Sequence, residues 1–198
     1  MADLIIPAGF RRIEMPRIAS MAGSDNDLVQ MILMHEFLLE ASSKGMIRIC
    51  DEWTNSIHRN PIETLSALKK LIGKVDAIIV GAGWANHLTG CANAFLRNWF
   101  RNDHIVVFGV AIEDPEDSDH TQAAISSITE LPGSEVVYDN YLGEEGCLRA
   151  ATDASKGIYP IIHLKDYDDL PKRRPMEEAV RIGKEKKLEI QLKKGGSK

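Results

Sequence analysis

The chain is short of the residues that build disulfide-stapled or metal-stapled folds. Its 198 residues include only three cysteines, Cys50, Cys91 and Cys147. These are too few and too scattered for a disulfide scaffold or a zinc cage, and they suit a reducing cytosol. Positive charge is also short. Lys and Arg total 24 against 29 Asp and Glu, a formal net charge of −5, which argues against a general nucleic-acid binder. The basic cluster Lys172-Arg173-Arg174 is flanked by acidic residues. No window approaches the length of uninterrupted apolar sequence that a membrane span needs. The N-terminus carries no apolar core behind a basic flank, so no signal peptide is expected, and the expected location is cytoplasmic. What is present is 44% hydrophobic and 27% charged, the balance of a globular domain with a substantial core.

Apolar runs and helical patterns alternate along the chain. Runs at 17–21, 46–50, 77–80, 104–110 and 135–138 read as five strands. The run Ala77-Ile78-Ile79-Val80 has no polar alternation, which marks a strand covered on both faces. Helices are expected over 28–44, 61–72, 87–100, 121–130 and 145–154. In the first, Leu28, Met31, Ile32, Leu38 and Ala41 approximate one apolar face. The second has the clearest start: Asn60 can cap, Pro61 suits the first turn and Glu63 stands three residues after the cap. Ile62, Leu65, Leu68 and Ile72 form its stripe, and Gly73 ends it.

The alternation predicts an α/β fold of three layers, α/β/α, around a mostly parallel sheet. Residues 1–16 read as an N-terminal arm and 17–157 as the α/β domain. The extension 158–198 holds an ambiguous apolar segment at 158–164 and a charged helix over 176–192. That helix has a thin seam of Val180, Ile182 and Leu188, and disorder is expected from Gly195 to Lys198. The arm and the last helix both suit contacts between subunits.

Ligands in such folds bind outside the carboxyl ends of the strands. Three of those ends carry chemistry: Gly23-Ser24-Asp25-Asn26-Asp27, Ser56-Ile57-His58-Arg59-Asn60-Pro61, and the stretch from Gly81 to Gly90. Ser24 can donate to a phosphate or ribose oxygen and Asp27 can accept from ribose hydroxyls; equally, both can cap the helix that follows. Ser56 and Arg59 offer a hydroxyl beside a forked cation, which suits phosphate, whereas a lone Arg59 would be a solvated surface charge. His58 is the candidate for proton transfer, because an imidazole titrates at about 6.5. Gly81, Ala82 and Gly83 allow close backbone approach and can offer N–H donors to a carboxylate. His87 either lines the site or begins a helix.

In this order and context the three motifs resemble the phosphoribosylaminoimidazole (AIR) carboxylase family, which includes N5-carboxyaminoimidazole ribonucleotide mutase. That family typically shows GSDSD, SAHRTP and GAGGAAHLPG. The resemblance covers about residues 17–150. It implies a flavodoxin-like sheet, an octamer of identical subunits, a role in de novo purine biosynthesis and no metal or organic cofactor. It implies a small-molecule ribonucleotide substrate with carbon dioxide as the other reactant, and neither a nucleic-acid nor a membrane partner. His58 would move the proton while a carboxyl group passes from the exocyclic nitrogen to the ring carbon, or while AIR is carboxylated directly. Ser24, Asp27, Ser56, Arg59, Gly81, Ala82, Gly83 and His87 would bind substrate.

The departures are local. Trp84 stands where the family has glycine, Thr89 where it has proline and Asn60 where it has threonine. The loop from Glu113 to His120 is acidic, which would repel a phosphate. Leu131-Pro132-Gly133-Ser134 and Gly143-Glu144-Glu145-Gly146-Cys147-Leu148 match the family only loosely. Two other readings follow. A divergent relative would carboxylate another heterocyclic nucleotide, using a Cys147 thiolate stabilised at a helix start, although Cys147 reads in the first place as a small buried apolar residue. A non-catalytic nucleotide-binding protein would keep Ser24, Asp27, Ser56 and Arg59 with its pocket blocked at Trp84.

Overall fold

The unbroken apolar run at 77–80 forms the middle of a sheet. In the computed structural model, which describes residues 6–131, 135–166 and 173–195, this strand, β4 (Ala77–Ala82), is buried along its whole length. It pairs in parallel with β2 (Arg17–Ala22) on one side and β5 (Val106–Ala111) on the other. Outside them lie β3 (Arg48–Thr54) beside β2 and the short β6 (Val136–Val137) beside β5, again parallel. The order is β3-β2-β4-β5-β6. Counted among themselves the five parallel strands run 2-1-3-4-5, which is the flavodoxin-like order.

Period-two alternation sorts the apolar residues onto two faces. Ala77 and Ile79 of β4 join Ile18, Val106 and Phe108 in one core, packed with Met34 and Leu38 of α2 (Ile32–Ser43) and Cys147, Ala150 and Ala154 of α6 (Gly143–Ser155). Ile78 and Val80 turn the other way, onto Leu68 and Leu71 of α3 (Pro61–Leu71) and Leu88 and Ala92 of α4 (His87–Ala94). A smaller cluster holds Ala124 and Ile128 of α5 (Ser118–Thr129) against Ala111. Each fully buried aliphatic side chain contributes about 1.5–3 kcal/mol through transfer from water, so the paired faces of β4 anchor both outer layers.

Several boundaries differ from the sequence expectation. The first helix starts earlier and is interrupted: α1 (Asp25–Leu28) runs through a 3-10 turn at Val29–Met31 into α2. That turn rotates the face, so Met31, Met34, Leu38 and Ala41 are buried while Leu28 and Ile32 are exposed. On α3 the inward positions are Thr64, Leu68 and Leu71, and Ile62 is 72% exposed. The second strand extends to Thr54 and so takes in Asp51, Glu52 and Trp53. As an edge strand it tolerates those polar residues where a central strand would not. The helix expected over 87–100 is α4 followed by a π-helical turn at Phe95–Trp99.

At the start of the chain β1 (Phe10–Arg12) pairs antiparallel with β7 (Ile158–Pro160). The N-terminal segment therefore returns to its own chain, and the ambiguous apolar segment supplies its partner strand. By its contacts the chain divides into two units, Met1–Leu164 and Lys165–Lys198. The second holds α7 (Met176–Gly195), with the ion pair Arg181–Glu185 at 2.8 Å spaced one helical turn apart. Residues 1–5 of the expected arm, Pro132 to Ser134, Lys172 and the end of the chain at 196–198 lie outside the described residues. Among the described residues no helix is long and apolar enough to cross a membrane.

Candidate active site

The chain reverses its direction of travel across the sheet between β2 and β4, and ligand crevices open at such a switch point. All three motifs emerge there. They line one cavity of about 710 Å³ whose wall includes Ser24, Asp27, Ser56, His58, Arg59, Ala82, Gly83, Trp84 and His87. Gly81 is placed differently. It stays inside β4, its carbonyl accepts from the Gly23 N–H at 2.9 Å, and a Cβ there would meet Met31 Sδ at 2.7 Å. Its smallness lets α1 and the following turn settle against the strand beneath the cavity.

The first motif is tied to the other two. Ser24 is the N-cap of α1: its Oγ accepts from the Asp27 N–H at 3.2 Å and donates to Asp27 Oδ2 at 2.8 Å. The other carboxylate oxygen, Asp27 Oδ1, accepts from the Gly83 N–H at 2.9 Å. A Cβ on Gly83 would come within 3.0 Å of that same oxygen, so the bond depends on close approach of the two chains. The Thr54 hydroxyl donates to Asp25 Oδ1 at 2.9 Å and ties the end of β3, two residues before the second motif, to the first. The capping reading holds for Ser24, with Asp27 as its partner in the first turn, and both residues also line the cavity.

The second motif is a tight turn, with the Ser56 carbonyl accepting from the N–H groups of Arg59 and Asn60. Asn60 then caps α3 and accepts from Glu63 N–H at 3.4 Å, while its own amide donates to the Glu63 carboxylate. This reciprocal arrangement fixes where the helix begins and holds His58 and Arg59 outward, over the cavity. Arg59 is exposed, and among the described residues its guanidinium carries no hydrogen bond or ion pair. Its five N–H donors are free for a ligand.

His58 Nε2 lies 3.0 Å from His87 Nδ1, with the two rings edge to face at 69°. One N–H must occupy that contact, so the two imidazoles share a proton and each keeps a second nitrogen for a ligand or for water. His87 is the first residue of α4. The cap before it is Asn86, whose Oδ1 accepts from Thr89 N–H at 3.2 Å and whose amide donates to the Val110 carbonyl at 2.9 Å. Asn86 is buried, and it locks the third motif against β5. Thr89 donates its hydroxyl to Asn86 Oδ1 at 2.9 Å. A proline at that position has neither an N–H nor a hydroxyl to donate to Asn86.

The acidic loop does not face the cavity as a field of free carboxylates. His120 Nδ1 bonds Asp114 Oδ2 at 2.8 Å, which holds the Asp114 carboxyl below its ordinary range and raises the histidine above its own. Asp117 caps α5 by accepting from the Asp119 and His120 N–H groups. The Gln30 side chain clasps Glu113 at both backbone groups, at 2.8 and 3.1 Å. None of residues 113–120 lines the cavity.

Cys147 is 0% exposed, and burial pushes its thiol up to about 12. It lies on the inner face of α6, in the core and outside the cavity wall, a setting that suits a small buried apolar residue and does not favour a thiolate. Among the described residues no three His, Cys, Asp or Glu side chains gather to hold a metal ion. Sequence reasoning passed over three participants: Asn86, the Gln30 clasp, and the stack of Trp84 on His120. A buried asparagine one residue before a histidine at a helix start was the available signal for the first.

No protein-family model matches the chain, and no curated protein matches its sequence. Among solved structures it is similar to the crystal structure of Treponema denticola PurE. The identity is 19%, the match covers 71% of this chain and 87% of that one, and the TM-score is 0.48.

Proposed function

We propose that the chain is an enzyme of carboxyl transfer on aminoimidazole ribonucleotide, working as an N5-carboxyaminoimidazole ribonucleotide mutase or as an AIR carboxylase. The motif resemblance suggests the substrate class. The observation that carries the reading is the convergence of a paired, solvent-facing His58 with the free Arg59 and with Ser24, Asp27 and Ser56 in one cavity. Arg59 and the Ser56 hydroxyl take the phosphate, a charge-assisted contact, joined by Ser24 when its hydroxyl turns from Asp27 to the ligand, and Asp27 takes a ribose hydroxyl through its remaining lone pairs. His58 gives a proton to the exocyclic nitrogen as its bond to the carboxyl carbon breaks and carbon dioxide is freed. The ring carbon attacks that carbon dioxide, and His58 takes the proton the ring carbon loses. His87, 3.0 Å away, lets the proton pass between two imidazoles. Direct carboxylation uses the same second half with carbon dioxide from solution.

The same reading carries an assembly of identical subunits. Leu28, Val29, Ile32 and Leu33 leave apolar surface open at the start of the first helical layer. A relative acting on another heterocyclic nucleotide is favoured by one observation: Trp84 projects into the cavity wall where a compact site would carry glycine. Following absorbance while AIR and each of its two carboxylated forms is mixed with micromolar enzyme tests the proposal. Interconversion is expected, and no conversion of any of the three would refute it.

A further inference from the structure

Trp84 adopts φ +53°, the left-handed region that bulky L residues occupy only at a cost. Burial does not offset that cost, because the side chain is 67% exposed. What holds it is a stack on the His120 ring, with centroids 4.5 Å apart and planes within 19°. His120 is itself fixed from behind. Its Nδ1 bonds Asp114 at 2.8 Å, and Asp114 is held by the Glu116 N–H on its Oδ1 and by the Thr121 hydroxyl on its own N–H. Trp84 lines the cavity and His120 does not. One aromatic face is therefore backed by a braced imidazole. Among the described residues no other ring covers the opposite face.

A strained, exposed indole stabilises the free protein only through that one stack. It is suited to offer a flat π surface to something that arrives. Indoles bind planar heterocycles by stacking, with little demand on the hydrogen-bond pattern of the ring. We propose that Trp84 is the specificity-determining wall of the site: a shelf, positioned by His120, on which the planar heterocycle of the ribonucleotide stacks while Ser24, Ser56 and Arg59 hold its phosphate. This rests on the reading of the cavity as a ribonucleotide site and adds what selects the base. The brace also gives the loop at 113–120 a part in binding although it touches no ligand.

The test is calorimetry with two probes, AIR and ribose 5-phosphate, which share the sugar phosphate and differ in the heterocycle. Wild type is expected to bind AIR the more tightly. Trp84→Ala should weaken AIR on the order of 10- to 100-fold, the range of one lost base stack, and leave ribose 5-phosphate within about twofold. Trp84→Phe, which keeps a ring and guards against misfolding of the alanine variant, should retain most of the affinity. His120→Ala should fall between wild type and Trp84→Ala on AIR alone, and His120→Phe should restore it. Equal loss on both probes would overturn the shelf in favour of a structural role. Tighter AIR binding by Trp84→Ala would overturn it in favour of a plug. Wild-type binding of both probes with equal affinity would overturn the shelf and leave the sugar-phosphate site standing, whereas binding of neither would remove the ribonucleotide reading itself.

Discussion

The two ends of the parallel sheet carry similar residues to opposite effect. At the amino ends, Asp76 sits just before β4 with its carboxylate 2% exposed. It accepts from the Arg17 backbone N–H, from Arg17 Nε and NH2, and from His104 Nε2, all between 2.7 and 3.0 Å. Arg11, on β1, bonds His104 Nδ1 at 2.7 Å and also donates to the His104 carbonyl. A guanidinium has no lone pair to offer, so His104 Nδ1 is the acceptor and Nε2 carries the proton toward Asp76. The Asp76 carboxylate and both ring nitrogens of His104 are used in this knot, and only Arg11 Nε is left without a partner in it. At the carboxyl ends, His58 spends one nitrogen on His87, the Arg59 guanidinium has no partner among the described residues, and Trp84 is 67% exposed. Polar groups paired with one another hold the fold, whereas polar groups held in place but unpaired are the ones the proposed site would use.

This contrast can be broken most sharply at His58. His58→Asn should lower turnover of the aminoimidazole nucleotides by about 10²- to 10⁴-fold, the usual worth of a general acid/base. The exposed side chain should leave the thermal midpoint nearly unchanged. A stability loss matching the activity loss, seen by calorimetric unfolding, would erase the distinction between the two ends.

The second test lies at the other end. Asp76→Ala leaves Arg17 and His104 facing each other without their shared acceptor, and should cost about 3 kcal/mol in denaturant unfolding. Nucleotide affinity should stay within about twofold. The acid dependence follows from the same group. Its carboxyl is held down to about 2 from a reference of 3.8, so the folded state binds this proton less readily than the unfolded chain. The stabilisation is present above pH 4 and is lost as the pH falls toward 2, and it amounts to about 2 kcal/mol. Asp76→Ala should flatten that part of the stability profile.

The smallest effect is expected at Arg11. Arg11→Ala removes the outermost member of the knot and frees β1 from the His104 loop. It should cost about 0.5–1 kcal/mol and raise amide exchange in the β1–β7 pair, with no change in binding.

Much of the fold was legible because its signals are local. The buried β4, the Asn60-Pro61-Glu63 start of α3 and the serine cap of α1 each depend on residues a few positions apart. The three site motifs were legible because strand ends announce themselves through glycine and cap formers. Which face of a helix turns inward was less legible. Thr64 is 0% exposed and Ile62 lies outward, since the rotation of α3 is set by what β4 and the π-helical turn leave room for. The polar Asp51 and Glu52 read as a loop because nothing in their neighbourhood reveals that β3 lies at an edge.

By itself, then, the sequence determined the alternation of strands and helices, their caps, and the residue types at three strand ends, because backbone geometry and burial patterns act over a few residues. Only the tertiary structure decided which of those residues meet. The strand order brings Asp27 to the Gly83 N–H, His58 to His87, Trp84 to His120 and Arg17 to Asp76. Each pair joins parts of the chain that are far apart in sequence, and its geometry depends on sheet register and helix packing. The chemistry proposed for the site, and the shelf at Trp84 above all, rests on those encounters.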